Sequence, residues 1–312
     1  MAASASFGIV VRRLAQLSLA LALLATGCGA DSSDSQPVRP PDIRLRSVLG
    51  LALHPELGLL IADGDAHRVL RADLSTGRLA VVADEGLEAP TGIAVGPGGA
   101  TYVADRHAGA VFRIANRRAT RVSSYGEPLH VAVDSRGDLF VTGRENTVVR
   151  VDPATGAARP YAGTGEAGSS GDGGPALAAA LTTPHGIAVD PADNVVVADV
   201  ATVRRIDRAT GVIDTIAGSG ERRHCGDSRP VREICLTALR VAFAPDGDFY
   251  IADPENKRLW RVSEGAAHGI DLGFPPLDVV VESDRTLLVA DNLNRRVVRY
   301  DLRTEATTTV VD

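Results

Sequence analysis

The sequence predicts an all-β fold, a six-bladed β-propeller, because three short motifs recur in fixed order in six copies. The first motif reads GLALHP, GIAVGP, HVAVDS, GIAVDP, RVAFAP and DVVVES, beginning at Gly50, Gly92, His130, Gly186, Arg240 and Asp278. The second reads IAD, VAD, VTG, VAD, IAD and VAD, ending at Asp63, Asp105, Gly143, Asp199, Asp253 and Asp291. The third is built on an arginine, at Arg71, Arg113, Arg150, Arg205, Arg261 and Arg299. Consecutive arginines lie 42, 37, 55, 56 and 38 residues apart. Two inserts, at 164–183 and 219–238, account for the long intervals. Without them each unit has about 40 residues, the size of one four-stranded blade.

Within a unit the elements follow from turn residues. In the second unit, residues 92–95 are an apolar run, Pro97-Gly98-Gly99 is a turn and 101–104 is a second run. Residues 111–114 form a third run and 120–123 a weaker fourth. Short β-branched runs bounded by Gly, Pro and Asp read as strands. The first two runs are almost wholly apolar and the outer ones mixed, as stacked blades require, since inner strands are covered on both faces. No segment holds a helical period, although 176–181 could form one helical turn inside the first insert. The Asp slots are expected to cap the turn between second and third strands. The Arg slots are expected to pack their stems on the neighbouring blade and pair their heads with backbone or acid.

Residues 1–27 read as a lipoprotein-type signal peptide. Arg12-Arg13 closes a basic start, and 14–25 is an apolar stretch too short to span a bilayer. Thr26-Gly27-Cys28 then resembles a bacterial lipobox, with Ala25 where Leu is usual, which makes Cys28 the expected lipid attachment site. Residues 28–42 are rich in Ser, Asp and Pro and read as a flexible tether, leaving 43–312 for the propeller. The expected location is therefore a bacterial membrane surface, in the periplasm or on the cell exterior. Arginine dominates the basic residues, and Lys257 is the single lysine. The net charge of −6 becomes −8 once Arg12 and Arg13 are removed. An acidic domain without a clustered basic stripe argues against nucleic acid as partner. Cys225 and Cys235 share the second insert, and in an exported chain they are expected to form a disulfide.

The motifs resemble the NHL-repeat family of β-propellers over residues 43–312. Residues 184–190 (PHGIAVD), 195–199 (VVVAD) and 294–297 (NRRV) carry the family's three signatures. Residues 171–176 (GDGGPA), with 162–165 (AGTG) before them, resemble a linker of bacterial NHL arrays. Blade 3 departs most, with Thr142-Gly143 where Ala-Asp is usual. Such propellers act as binding or scaffold modules, so the resemblance implies a monomeric module that takes a protein or glycan partner on its loops.

Chemistry could reside where the loops entering the innermost strands ring the central channel. There His130, His185, Arg240 and Asp278, from blades 3 to 6, are the candidate binding residues. The paired histidines His130 and His185 would hold a divalent metal, or Arg240 an anion. Local hydrogen bonding at each loop is the alternative. The peptidyl-amidating lyase propellers resemble NHL repeats and hold zinc through Pro-His loops. Pro184-His185-Gly186 matches that loop, but the equivalent slots elsewhere hold Leu or Thr, and a third histidine is missing. Gluconolactonase-like propellers need an acidic ligand in the first blade, where Leu49 and Gly50 stand. A metal-dependent lyase or hydrolase is thus the second reading, behind a non-catalytic binding module with no required cofactor.

Overall fold

The three motifs become three consecutive strands of one antiparallel meander, and a fourth strand completes each outer edge. The structure is a computed structural model that describes residues 43–312. The signal segment, Cys28 and the tether lie outside the described residues. The first meander is β1 (Gly50–His54), β2 (Gly58–Asp63), β3 (Arg68–Ala72) and β4 (Leu79–Glu85). The second is β5 (Pro90–Val95), β6 (Thr101–Asp105), β7 (Ala110–Ala115) and β8 (Arg117–Ser124). The third is β9 (Pro128–Val133), β10 (Leu139–Gly143), β11 (Val148–Val151) and β12 (Ala158–Ala162). A two-residue strand, β13 (Gly174–Pro175), precedes β14 (Gly186–Val189), β15 (Val195–Asp199), β16 (Thr202–Ile206) and β17 (Val212–Ala217). Likewise β18 (Ser228–Pro230) precedes β19 (Arg240–Phe243), β20 (Phe249–Asp253), β21 (Arg258–Ser263) and β22 (Ala266–Asp271). The last meander is β23 (Val279–Val281), β24 (Thr286–Asp291), β25 (Arg296–Asp301) and β26 (Thr307–Val311). The completing strand of this meander, open from sequence between residues 44–48 and 307–311, is the C-terminal β26.

Register is the same in every unit. The residue that opens the first motif faces the residue before the Asp slot: Gly50 with Ala62, Gly92 with Ala104, His130 with Thr142, Gly186 with Ala198 and Arg240 with Ala252. Strands β6, β10, β15 and β20 are buried at every residue, as apolar runs covered on both faces must be.

The core is a cycle of interfaces between neighbouring sheets. Leu60 and Val69 pack with Val103 and Phe112. Tyr102 and Val111 pack with Val131 and Val141. Phe140 and Val148 meet Ile187 and Val195, and Val196 and Val203 meet Ile251 and Trp260. Tyr250 and Leu259 meet Leu287 and Val289. Leu288 and Val297 then meet Leu59 and Leu70 of the first sheet. The described residues thus form an all-β, propeller-like fold in which last and first sheets touch. The first two sheets are also joined at their outer edges, where β4 and β8 run parallel.

Both inserts bridge neighbouring sheets. The first leaves β12, lays β13 beside β17 and makes a short helical turn at Ala176–Ala178. The second leaves β17 and lays β18 beside β22. Arg204 anchors the first insert from below: it is fully buried and donates to the Ser170 and Ala180 carbonyls and to Asp172 at 2.6 Å. Asp172 in turn accepts from the Thr215 amide and hydroxyl, so the 171–174 loop is structural. In the second insert Cys225 and Cys235 are bonded, with Cα atoms 5.7 Å apart.

Asp105, Asp253 and Asp291 cap the turn that follows them, accepting from the Ala108, Asn256 and Asn294 amides, and the Asp slots also do something the sequence reading missed. Asp63 accepts from the Arg46 and Ser47 amides, Asp105 from Glu88 and Ala89, Asp199 from Thr182 and Asp253 from Thr237. Each carboxylate therefore holds the loop that leads into the innermost strand. Blade 3 has Gly143 in this slot, and Tyr125 occupies the space. A Cβ on Gly143 would lie 2.5 Å from the Tyr125 ring and 2.8 Å from the Glu127 carbonyl. The Arg slots meet the expected acid partner in three units, but within their own sheet. Arg150, Arg261 and Arg299 pair with Asp138, Asp248 and Glu282 of their own sheets, while Arg71, Arg113 and Arg205 are exposed on the surface. An acid in the turn before the second strand is within reach across two paired strands, so the neighbouring blade is not needed.

Restoring the repeat's aspartate by Gly143→Asp is expected to destabilise the protein by about 1–3 kcal/mol, the usual cost of overpacking. Adding Tyr125→Ala should recover part of that loss, which a double-mutant cycle in denaturant would read as favourable coupling. Breaking the disulfide by Cys225→Ser is expected to cost up to about 3 kcal/mol, because it closes a short loop. Denaturant melts with and without reductant would check this, the reductant leaving the variant's midpoint unchanged.

Candidate functional site

The innermost strands β1, β5, β9, β14, β19 and β23 touch one another in that order, and β23 touches β1. Their first residues approach very closely at the glycines. A Cβ on Gly50 would lie 2.5 Å from the Thr91 carbonyl, and one on Gly186 would lie 2.4 Å from the Leu239 carbonyl and 3.0 Å from the Arg240 Cα. No side chain fits there, which is why glycine recurs at this slot. The three non-glycine residues in the slot direct their side chains at the next strand or at the axis, and each is buried: His130 is 8 % exposed, Arg240 7 % and Asp278 4 %.

His130 Nδ1 lies 3.2 Å from the Ile187 carbonyl. A carbonyl only accepts, so Nδ1 carries the hydrogen and Nε2 of the neutral ring is a bare acceptor. Nε2 is buried and has no hydrogen-bond partner. Burial holds this imidazole well below its ordinary pKa, and the Arg240 charge pushes it the same way. His185, half-buried one residue before Gly186, is lowered to about 4 by burial and then by the charges of Arg240, Arg144 and Arg106. Both rings are therefore neutral at pH 7. Arg106 and Arg144 were not singled out in the sequence; they share Glu127, at 3.3 and 3.0 Å.

Arg240 donates from Nη1 to the Leu239 carbonyl at 3.0 Å, and its Nε is buried with no partner. Asp278 has both oxygens occupied by backbone: Oδ2 accepts from the Leu51 amide and Oδ1 from Val279, each at 2.8 Å. It thus ties the last innermost strand to the first. Burial raises its pKa to about 6, against the pull of Arg240 and the two amides. The field of Arg240 reaches His130, His185 and Asp278, but no ion pair joins it to Asp278 within 4 Å.

These residues do not fit a divalent metal. Among the described residues no three His, Cys, Asp or Glu side chains gather as a metal site requires. One nitrogen of His130 is committed to Ile187, the Asp278 oxygens are committed to amides, and a guanidinium stands between them. The arrangement holds instead one buried guanidinium and one neutral imidazole with an unpartnered nitrogen. The histidines His54, His67, His107, His224 and His268 lie outside this group.

The depressed histidines give a pH dependence of known sign. Their folded pKa values lie below the unfolded value near 6.5, so the unfolded chain binds protons that the folded chain refuses. Stability is complete above about pH 6.5 and is lost as pH falls toward about 4. Thermal melts of wild type and His185→Asn should therefore diverge on acidification, the variant gaining about 1–2 kcal/mol on wild type between pH 7.5 and 4.5. Asp278 has the opposite sign but is common to both proteins and cancels.

The family model "Teneurin NHL domain" matches residues 82–233. Mouse teneurin-3 is 27 % identical over 220 residues, covering 61 % of this chain and 8 % of the relative. The chain therefore spans less than a tenth of the length of that relative. Among solved structures, a chain of a nidogen/laminin complex superposes with a TM-score of 0.65 at 14 % identity, covering 81 % of this chain and 92 % of the other. A gluconolactonase from Xanthomonas campestris superposes with a TM-score of 0.62 at 14 % identity, covering 80 % and 84 %. At such identities the structural likeness concerns the fold alone. The repeat signatures, the matched family model and the strand register agree, and together they support an NHL-repeat β-propeller family for this chain.

Proposed function

We propose that this chain is an exported, lipid-anchored, six-bladed propeller that works as a binding module for a protein or glycan partner, not as an enzyme. The observation that carries the non-catalytic reading is the donor geometry at the channel end. His130 Nδ1 and both Asp278 oxygens are committed to backbone groups, and the Arg240 charge acts on the His130 ring. Six blades are supported by the cyclic contacts of the innermost strands and by the return of the core from the last sheet to the first. A partner-binding role is supported by the fold's likeness to a chain from a nidogen/laminin complex, itself a protein assembly. The amidating-lyase-like or lactonase-like alternative draws on likeness of fold and on the Pro184-His185-Gly186 loop.

Calorimetric titration of the full-length protein with zinc, manganese and calcium tests this reading. No stoichiometric site is expected for any of the three. A one-to-one site abolished by His185→Ala would replace the binding module with the metal-dependent hydrolase. For location, Cys28→Ser is expected to move the protein from the membrane to the soluble fraction of a bacterial host, and unchanged membrane association would refute the lipid anchor.

A further inference from the structure

Four of the sheets join their third and fourth strands by a long turn that opens on an aspartate. Asp73, Asp152, Asp207 and Asp301 each accept from the amides two and three residues ahead. Such a turn also fills the seam to the preceding sheet. A Cβ on Gly77 would lie 2.8 Å from the Val310 carbonyl of β26, and one on Gly156 would lie 2.4 Å from the Val122 carbonyl of β8. In the first and last sheets the leucine after the aspartate enters the apolar cluster of that seam, Leu74 with Val310 and Leu302 with Ile270.

The second and fifth sheets lack this turn. Each reverses in two residues, Asn116-Arg117 and Glu264-Gly265, with φ of 51° and 65°, and of 50° and 78°. Positive φ at both positions is the geometry of a tight type I′ hairpin. In the second sheet β8 closes the seam instead, by pairing with β4. In the fifth the seam beside β17 stays open, as a cavity of about 630 Å³. Its floor is apolar, with Ile216 from β17, Val231 from the second insert and Phe249 from β20. Its rim carries Asp246, Asp248 and Glu264 against one guanidinium, that of Arg261. Asp248 takes Arg261 at 3.0 Å, while Asp246 and Glu264 make no ion pair among the described residues. Arg261 also feels the charge of Asp246, but one cation cannot offset three carboxylates.

We propose that this groove docks a segment of a protein partner that brings an apolar side chain next to a lysine or arginine. The apolar side chain takes the place that Leu74 and Leu302 hold in their own seams. The neighbouring cation meets Asp246 and Glu264 at the rim while its aliphatic stem covers apolar floor. Charge complementarity selects a basic partner over an acidic glycan, and over a second copy of this chain, whose own net charge is −6. The inference names partner chemistry for the binding-module reading and rests on it.

The test titrates the full-length protein with the capped peptide Gly-Leu-Arg-Gly and follows the backbone amide signals of Gly247 and Gly265 by NMR. Two control peptides, Gly-Leu-Glu-Gly and Gly-Ser-Arg-Gly, remove the cation and the apolar side chain in turn. Gly-Leu-Arg-Gly is expected to move both signals and to bind at least about fivefold more tightly than either control, the scale of one exposed ion pair or one partly buried side chain. Added salt should weaken it. Asp246→Asn with Glu264→Gln should reduce its affinity to that of Gly-Leu-Glu-Gly, and both changes lie on exposed turns. Should the pair disturb the turn at Asp246, Glu264→Gln alone should give about half of that loss on a logarithmic scale. Unmoved Gly247 and Gly265 signals, equal affinity for the Arg and Glu peptides, or an unaffected double variant overturns the proposal. So does concentration-dependent movement of the two signals without peptide, which would make the groove a contact between copies. A metal site abolished by His185→Ala would remove the binding-module reading itself, whereas peptide failure without a metal site removes only this groove.

Discussion

In four of the repeat units a buried carboxylate at the end of the second strand holds the loop that leads into the innermost strand. From Asp63, Asp105, Asp199 and Asp253 the carboxylate reaches back sixteen or seventeen residues to the amides of the loop that precedes the innermost strand. A buried anion is stable only when hydrogen-bonded, and loop amides need acceptors once removed from water. Each requirement answers the other. The consequence is positional: Thr182, held by Asp199, stands just before His185, and Thr237, held by Asp253, stands just before Arg240. The residues at the channel end are thus delivered by a tether that has nothing to do with them chemically.

The slots vary where the structure needs or permits it. Gly143 gives up the carboxylate, and Tyr125 fills its place and reaches Thr147 by its hydroxyl at 3.1 Å. Asp199 keeps the tether but leaves Oδ2 without a partner, and burial lifts its pKa to about 7, against the amide of Thr182 and the charge of Arg204. Its raised pKa makes it a group whose ionisation weakens the fold between about pH 4 and pH 7, opposite in sign to the buried histidines. Nearby, the inserts stiffen the seams between the third and fourth and the fourth and fifth sheets, one through Arg204 and the other through the Cys225–Cys235 bond.

Glycine at Gly50, Gly92 and Gly186 lets adjacent innermost strands approach until carbonyl and Cα nearly touch. Where His130, Arg240 and Asp278 replace it, the side chain must lie between strands or at the axis. Two of these, His130 and Asp278, become bridges to the next strand, at Ile187 and Leu51. The third, Arg240, bonds to the Leu239 carbonyl of its own loop and leaves Nε unpartnered. A break in a glycine pattern can therefore mean a bridge between strands or a group left unpaired, and only the partners tell which.

The three-motif repeat was sufficient, without coordinates, for the β-propeller class, the likeness to NHL repeats and the order of the strands, because turn residues and apolar runs recur at fixed offsets and local pairing follows them. The disulfide followed from two cysteines in one insert. The same pattern also marked His130, His185, Arg240 and Asp278 as departures from glycine or from its neighbour. What they do there was not legible. Whether Asp278 faces Arg240 or two amides, whether His130 keeps a nitrogen free, and that Arg106 and Arg144 bear on His185 all depend on side chains from different sheets meeting across the axis. Likewise Arg204 looks like its neighbour Arg205 in sequence, yet successive strand residues face opposite sides, so Arg204 takes the inward position that Leu70, Phe112 and Trp260 hold in other units, while Arg205 stays outside. Sequence carries the periodic part of the fold because periodic contacts are local; charge placement in a closed interior is a long-range matter that only the tertiary structure decides.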